Sequence, residues 1–192
     1  KNDPNELAFA FIVDFPMFEW KEAEKRWDAV HHPFTKITNH KSQITNIDEF
    51  IAHIKKSPDK LIAHQYDFVL NGYEIGGGSI RETSPRILQA VFEIMGNKPE
   101  DVREKFGHML EAFEYGAPPH GGIAPGIDRF MMILENEPNI REVIAFPKTG
   151  DGRDLMMNAP AEVNREQLKE LGVKMDSSLR LPRRVKAGGN DK

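Results

Sequence analysis

The sequence has no cysteine, which excludes disulfides and thiolate metal ligands. It also lacks any apolar run approaching the roughly 18 residues that cross a bilayer. Its first residues, KNDPNELAF, do not show the charged-then-apolar order of a secretory signal. These absences fit a reducing, cytoplasmic setting with no membrane partner. There is no surplus of basic charge either. The formal net charge is −4, where a small DNA-binding domain would be basic. The clearest local basic segment is RLPRRVKAGG, with Arg180, Arg183, Arg184 and Lys186. What is present is an ordinary globular composition, 39% hydrophobic and 29% charged, able to bury a core in 192 residues. The chain starts on Lys1 and enters a strand-like segment almost at once, so a piece of a longer protein is expected.

The periodicities alternate between strand and helix. LAFAFIVDFPMFEW (7–20) is aromatic and β-branched and predicts a buried strand interrupted at Pro16. DAVHHPFT predicts a second strand ending before Pro33, and 36–46 a polar loop. Ile47, Phe50, Ile51 and Ile54 share one helical face behind Asn46, a candidate N-cap. Asn71-Gly72 predicts a tight hairpin between strands at about 66–70 and 73–81, since both residues tolerate positive φ. Ser84-Pro85 opens a helix that Gly96 can end, and a second helix runs from about 99 to Gly116. GAPPHGGIAPG reads as a connection, IDRFMMILE as a buried helix, REVIAF as a buried strand and REQLKEL as a short surface helix. Hairpin-linked strands with helices in a separate block predict an α+β fold, an antiparallel sheet flanked by helices. The expected domain spans 1–174, followed by a polar, basic, frayed tail over 175–192.

Three short motifs carry candidate chemistry. In NGYEIGGGSIRE, Glu74 and Arg81 are seven residues apart and would face opposite sides of a regular strand. A single β-bulge between them restores one shared face, and the glycines Gly76–Gly78 are the natural place for it. Bare glycine backbone also leaves room for a flat ligand. The competing account is a solvated glutamate and a solvated arginine in a loose strand. In GIDRF, Gly126 opens a helix and places Arg129 in its first turn, where the helix dipole disfavours a cation unless a phosphate joins it. In HHPFT, neighbouring His31 and His32 point apart on a strand, so one at most enters a pocket.

VDFPMF, HHPFT, YDFVLNGYEIGGGSIR, GAPPHGGIAPGIDRF and IREVIAFPKT occur in this order, in a match that covers roughly residues 7 to 172. Together they closely resemble the carboxy-terminal part of the catalytic domain of bacterial-type aspartyl-tRNA synthetases. GIDRF resembles the third signature motif of class II aminoacyl-tRNA synthetases. The resemblance implies a ligase that activates L-aspartate with ATP and Mg2+ and transfers it to tRNA. The tRNA would be the aspartate isoacceptor, with the asparagine isoacceptor left open. A homodimer is implied for the complete enzyme. Arg81 and His31 would contact the aspartate, with His32 as their neighbour. Glu74 would hold ATP through magnesium. Gly126, Ile127, Asp128 and Arg129 would form the ATP motif, with Arg129 on the γ-phosphate. No residue is implied as a nucleophile or general base.

The residue chemistry agrees with those roles. A planar guanidinium grips a carboxylate bidentately where a lysine cannot. A hard carboxylate suits magnesium. In-line attack on a phosphorus needs positioning and charge neutralisation more than a protein nucleophile. The family's first and second motifs and its anticodon-binding domain are not found in this sequence. A fragment holding much of the amino-acid pocket, unable to complete adenylation alone, is therefore expected. Glu82 after Arg81 and Pro125 before Gly126 are small departures. A tRNA-independent aspartate–ammonia ligase and a non-catalytic binding module are the rival readings.

Overall fold

The computed structural model begins with strand β1 (Phe9–Ile12), the hairpin of β2 (Phe18–Lys21) and β3 (Arg26–Ala29), β4 (Ile37–Thr38) and helix α1 (Ile47–Lys56). Strands β5 (Ile62–Ala63), β6 (Gln65–Leu70) and β7 (Tyr73–Ile80) come next, then helices α2 (Pro85–Ile94) and α3 (Pro99–Glu114). Strand β8 (Gly121–Pro125), helix α4 (Ile127–Leu134), a 3-10 turn at Ile140–Val143 and helix α5 (Arg165–Glu170) follow. The structure describes residue 3, residues 5–38, residue 44, and residues 46–161 and 163–174; the tail expected over 175–192 lies outside them. The chain divides into two compact units, residues 1–144 and residues from 145 onward.

The main sheet has the order β1-β6-β7-β8, antiparallel throughout. Two small antiparallel ladders, β2-β3 and β4-β5, stand beside it. This is the α+β architecture expected. Asn71 and Gly72 take φ of +51° and +85° and close the β6–β7 hairpin on the Leu70–Tyr73 pair. The caps behave as their chemistry dictates. The Asn46 side chain accepts from the amides of Asp48 and Glu49, and Ser84 Oγ accepts from Ile87. Gly96 and Gly116, at φ of +83° and +96°, end α2 and α3.

The core has two parts. Met17, Phe18, Ile37, Ile54, Leu61, Ala63, Ala90 and Val91 bury one face of α1 against α2 and the small ladders. Leu70, Ile75, Met132 and Ile133 seat α4 on the back of the β6–β7 hairpin. Each of the larger side chains among them contributes about 1.5–3 kcal/mol on burial.

Six expectations need correction. IDRFMMILE is a helix, but α4 buries only Met132 and Ile133 and leaves Ile127, Met131 and Leu134 exposed. Residues 36–46 are not all loop, since Ile37 and Thr38 pair with β5. Residues 7–20 form two strands, and β1 is not buried. It is an edge strand on which Phe9 and Phe11 stack against Phe68 and stay half exposed. The second strand is β3, ending at Ala29, so His31 and His32 lie in the loop that follows it rather than in a strand. Gly121–Pro125 is the fourth strand of the sheet rather than a connection. REVIAF is not a strand: its first residues complete the 3-10 turn.

Candidate active site

The β6–β7 hairpin builds the site. Phe68 pairs with Gly76 and Val69 with Glu74, so Ile75 is the extra residue of a β-bulge. The break between Glu74 and Arg81 is thus present, one residue before the glycines. Ile75 turns its side chain into the core with Leu70, Met132 and Ile133. Glu74 is thereby moved to the face of Gly77: its Oε1 lies 3.1 Å from where a Gly77 Cβ would sit, and Asp67 Oδ1 lies 3.2 Å from the same point. Alternation carries that face on to Ser79 and Arg81.

The three glycines serve two purposes. Gly77 opens the face bearing the carboxylates. Gly76 and Gly78 turn the other way, toward β8. A Cβ on Gly78 would stand 2.0 Å from the Gly122 carbonyl oxygen and 2.7 Å from the Tyr66 ring. The Tyr66 hydroxyl crosses there to donate to Gly122 O at 3.0 Å. The close approach that glycine permits is therefore the protein's own backbone at Gly78 and an open surface at Gly77.

The loop after β3 is zipped along the end of β7. Lys36 N donates to Ile80 O at 2.8 Å, Glu82 N donates to Phe34 O at 3.0 Å, and Thr35 bridges Arg81. This places His32 against Arg81, with its Nε2 3.0 Å from an Arg81 terminal nitrogen and 3.3 Å from Ser79 Oγ. Burial, then the Arg81 charge and His31, holds the His32 imidazole below the ordinary histidine pKa. His31 is exposed and sits edge-on to Phe15 at 4.8 Å, near enough to both His32 and Asp67 to act on their charge. Of the two histidines, the structure brings His32 to Arg81.

Asp67 is a site residue that sequence reasoning passed over. Burial and the Glu74 carboxylate raise its pKa above the ordinary range, and His31 partly offsets this. Counting back from the Asn71-Gly72 turn would have placed it opposite the glycine run. Among the described residues no group of three metal-ligating side chains is gathered. The Asp67–Glu74 pair supplies two hard carboxylates on one face, which fits a magnesium ion whose other ligands are waters and phosphate oxygens.

Helix α4 closes the other end. Gly126 is its N-cap and donates its amide to Ile75 O at 2.7 Å, so the bulge itself anchors the helix start. Arg129 donates to Glu74 O at 2.7 Å, and lies 3.7 Å from the Glu74 carboxylate. Glu74, Ile75, Gly76, Ala124, Gly126 and Arg129 line a shallow cavity together with Asp128. Ile127, the first residue of α4, stays 63% exposed. The site thus presents a guanidinium and free helix amides for an anion beside two carboxylates for a cation. A second guanidinium, that of Arg81 with His32 and Ser79 beside it, stands at the far end of β7.

A family model described as tRNA synthetases class II (D, K and N) matches residues 1–150. The chain is 49% identical over 175 residues to an aspartate–tRNA(Asp/Asn) ligase of Dehalococcoides mccartyi (strain CBDB1), covering 91% of this chain and 28% of that protein. It is 50% identical over 174 residues to the ligase of the same name from Chlorobaculum parvum, covering 91% of this chain and 27% of that one. The chain therefore spans little more than a quarter of the length of these curated relatives. Among solved structures, an Entamoeba histolytica asparaginyl-tRNA synthetase in complex with asparaginyl-adenylate aligns with a TM-score of 0.51 at 22% identity, over 76% of this chain and 26% of that one. The asparaginyl-tRNA synthetase of Pyrococcus horikoshii aligns with a TM-score of 0.50 at 22% identity, over 74% of this chain and 26% of that one. At that identity the structural likeness speaks for the fold.

Proposed function

Since the chain belongs to the class II tRNA synthetase (D, K and N) family, we propose that it forms the amino-acid and ATP pocket of an aspartate–tRNA ligase. The observation that carries this reading is the bulged strand, which sets Arg81 and the Asp67–Glu74 carboxylates on one face with the start of α4 beside them. Arg81 takes the side-chain carboxylate of L-aspartate, its fork matching both oxygens. His32, held neutral by burial and by Arg81, orients that guanidinium without adding a competing negative charge. The α-carboxylate of the aspartate attacks the α-phosphorus of ATP. A carboxylate oxygen–phosphorus bond forms as the bond to pyrophosphate breaks, which gives aspartyl-adenylate.

Arg129 and the helix amides after Gly126 hold the triphosphate and draw off negative charge as pyrophosphate leaves. Asp67 and Glu74 would hold magnesium, which neutralises phosphate charge when bound. Asp128, at the first turn of α4, faces the same cavity. No side chain on this face is needed as a nucleophile, because substrate supplies it and binding energy supplies alignment. In the second step a terminal ribose hydroxyl of tRNA attacks the mixed anhydride and releases AMP. The curated relatives are named for both the aspartate and the asparagine tRNA, which supports proposing both as partners. A homodimeric, cytoplasmic complete enzyme belongs to the same reading.

The test is calorimetric titration of the chain with a non-hydrolysable aspartyl-adenylate analogue. Saturable binding that is lost in Arg81→Gln supports the pocket. No binding at millimolar analogue overturns it.

A further inference from the structure

Four polar or charged residues are buried in the described chain: Thr35, Gln65, Ser79 and Glu82. Three have partners. Thr35 Oγ1 donates to Ile80 O at 3.3 Å, Ser79 Oγ meets His32 Nε2 at 3.3 Å, and Glu82 accepts from the amides of Thr83 and Ser84 at 2.9 Å each. Gln65 is 7% exposed, yet among the described residues its carboxamide bonds to nothing. A buried amide left unsatisfied costs about 1–3 kcal/mol. No buried side-chain nitrogen or oxygen in the described chain is both sealed from solvent and unpartnered, so this carboxamide keeps an opening to solvent.

The register says where that opening lies. Gln65 pairs with Ser79 and so shares its face of the sheet. Asp67 follows two residues on, on the same face, opposite Gly77. Arg81 lies diagonally across the ladder, within reach of a long side chain. A group with two donors and one acceptor thus stands between the guanidinium and the carboxylate pair, with no partner among the described residues.

We propose that Gln65 is a further substrate-binding residue, donating its amide N–H to the side-chain carboxylate of the aspartyl group that Arg81 holds. The inference rests on the reading under Proposed function. Arg81 fixes the carboxylate charge, and Gln65 satisfies an oxygen lone pair that the guanidinium leaves free. Before substrate arrives the carboxamide is met by water, which the carboxylate displaces with an equivalent bond.

The test compares the chain with Gln65→Met, which keeps the volume and removes the amide, and with Gln65→Glu, which sets a like charge against the substrate. Each is titrated with the aspartyl-adenylate analogue and, separately, with ATP and magnesium. A hydrogen bond to a charged group corresponds to a loss of about tenfold or more in analogue affinity for Gln65→Met. The loss should be larger for Gln65→Glu, with ATP affinity unchanged in both. Analogue affinity within about twofold of the parent in Gln65→Met would overturn the inference, since one such bond is worth more. So would an equal loss for ATP, which marks a packing role. Circular dichroism and melting establish folding; collapse of both variants would assign Gln65 to the core and also overturn it. If the parent chain binds neither ligand, the pocket itself fails. If the parent binds and Gln65→Met binds as well, only the role of Gln65 fails.

Discussion

Replacing Gly78 with alanine should unfold the site's scaffold, whereas the same change at Gly77 should leave the scaffold standing. The Gly78 methyl would meet Gly122 O at 2.0 Å, Tyr66 Cε2 at 2.7 Å and Gly122 C at 2.9 Å. Ordinary contact begins at 3.4 Å, so against Gly122 O the methyl falls short by 1.4 Å. Two of the three obstacles are backbone and cannot rotate away. Withdrawing β8 that far takes its ladder bonds beyond hydrogen-bonding range. It also pulls Gly122 O from the Tyr66 hydroxyl, now at 3.0 Å. Overpacking costs about 1–3 kcal/mol, and each lost hydrogen bond adds about 1 kcal/mol. A destabilisation of about 3–5 kcal/mol follows, a large share of a typical domain's total stability. At Gly77 the nearest atoms are the side-chain oxygens of Glu74 and Asp67 at 3.1 and 3.2 Å, which can swing by a few tenths of an ångström. Gly77 does not have positive φ, so alanine there also gains about 0.4–1 kcal/mol by restricting the unfolded chain. Its cost should fall on ligand binding, because the methyl wedges between the two carboxylates. Urea unfolding of both variants measures the first effect, and titration with magnesium-ATP the second. A Gly78→Ala chain within about 1 kcal/mol of the parent, or a Gly77→Ala chain that unfolds more easily than Gly78→Ala, would refute the reasoning.

Other outcomes follow from the same geometry. His32 should titrate below the ordinary histidine value in an NMR pH series, and its pKa should rise when Arg81→Gln removes the neighbouring charge. Because the folded chain resists protonating His32, the unfolded chain takes up that proton first. His32 therefore withdraws stability as pH falls through about 6.5, a trend that melting at pH 8, 7 and 6 would follow. Asp67→Asn should raise the melting temperature at pH 7, since burial and Glu74 make its ionisation unfavourable in the fold. That gain should vanish as pH drops below the raised carboxyl pKa, while magnesium-ATP binding is weakened at every pH. A variant that melts lower at pH 7 would contradict this. Arg81→Gln should weaken binding of the aspartyl-adenylate analogue by about 2–4 kcal/mol, because a bound carboxylate loses its charged partner. Unchanged affinity would reject Arg81 as the carboxylate clamp.

Local chemistry made much of this protein legible in its sequence. Asn71-Gly72 specified its own turn, because both residues accept positive φ. Asn46 and Ser84 marked helix starts by offering side-chain oxygens to free amides. The parity of Glu74 and Arg81 called for one bulge, since a period of two admits no other way to share a face. What the sequence could not decide was every feature set by a distant partner. The bulge fell on Ile75 because a core of Leu70, Met132 and Ile133 was there to receive its side chain. Gly121–Pro125 has little strand propensity and became a strand because β7 offers it a ladder and glycines for close approach. Residues 140–143 form a 3-10 turn that Asn139 caps, because Ile140 and Val143 pack there against the core of Leu70, Ile75, Met132 and Ile133. His32 rather than His31 reached Arg81 because backbone bonds from Phe34 and Lys36 bind their loop to the end of β7. Periodicity and capping act within a few residues and can be read along the chain. Burial and strand pairing act between segments far apart in it, so only the folded chain settles which side chain finds the site.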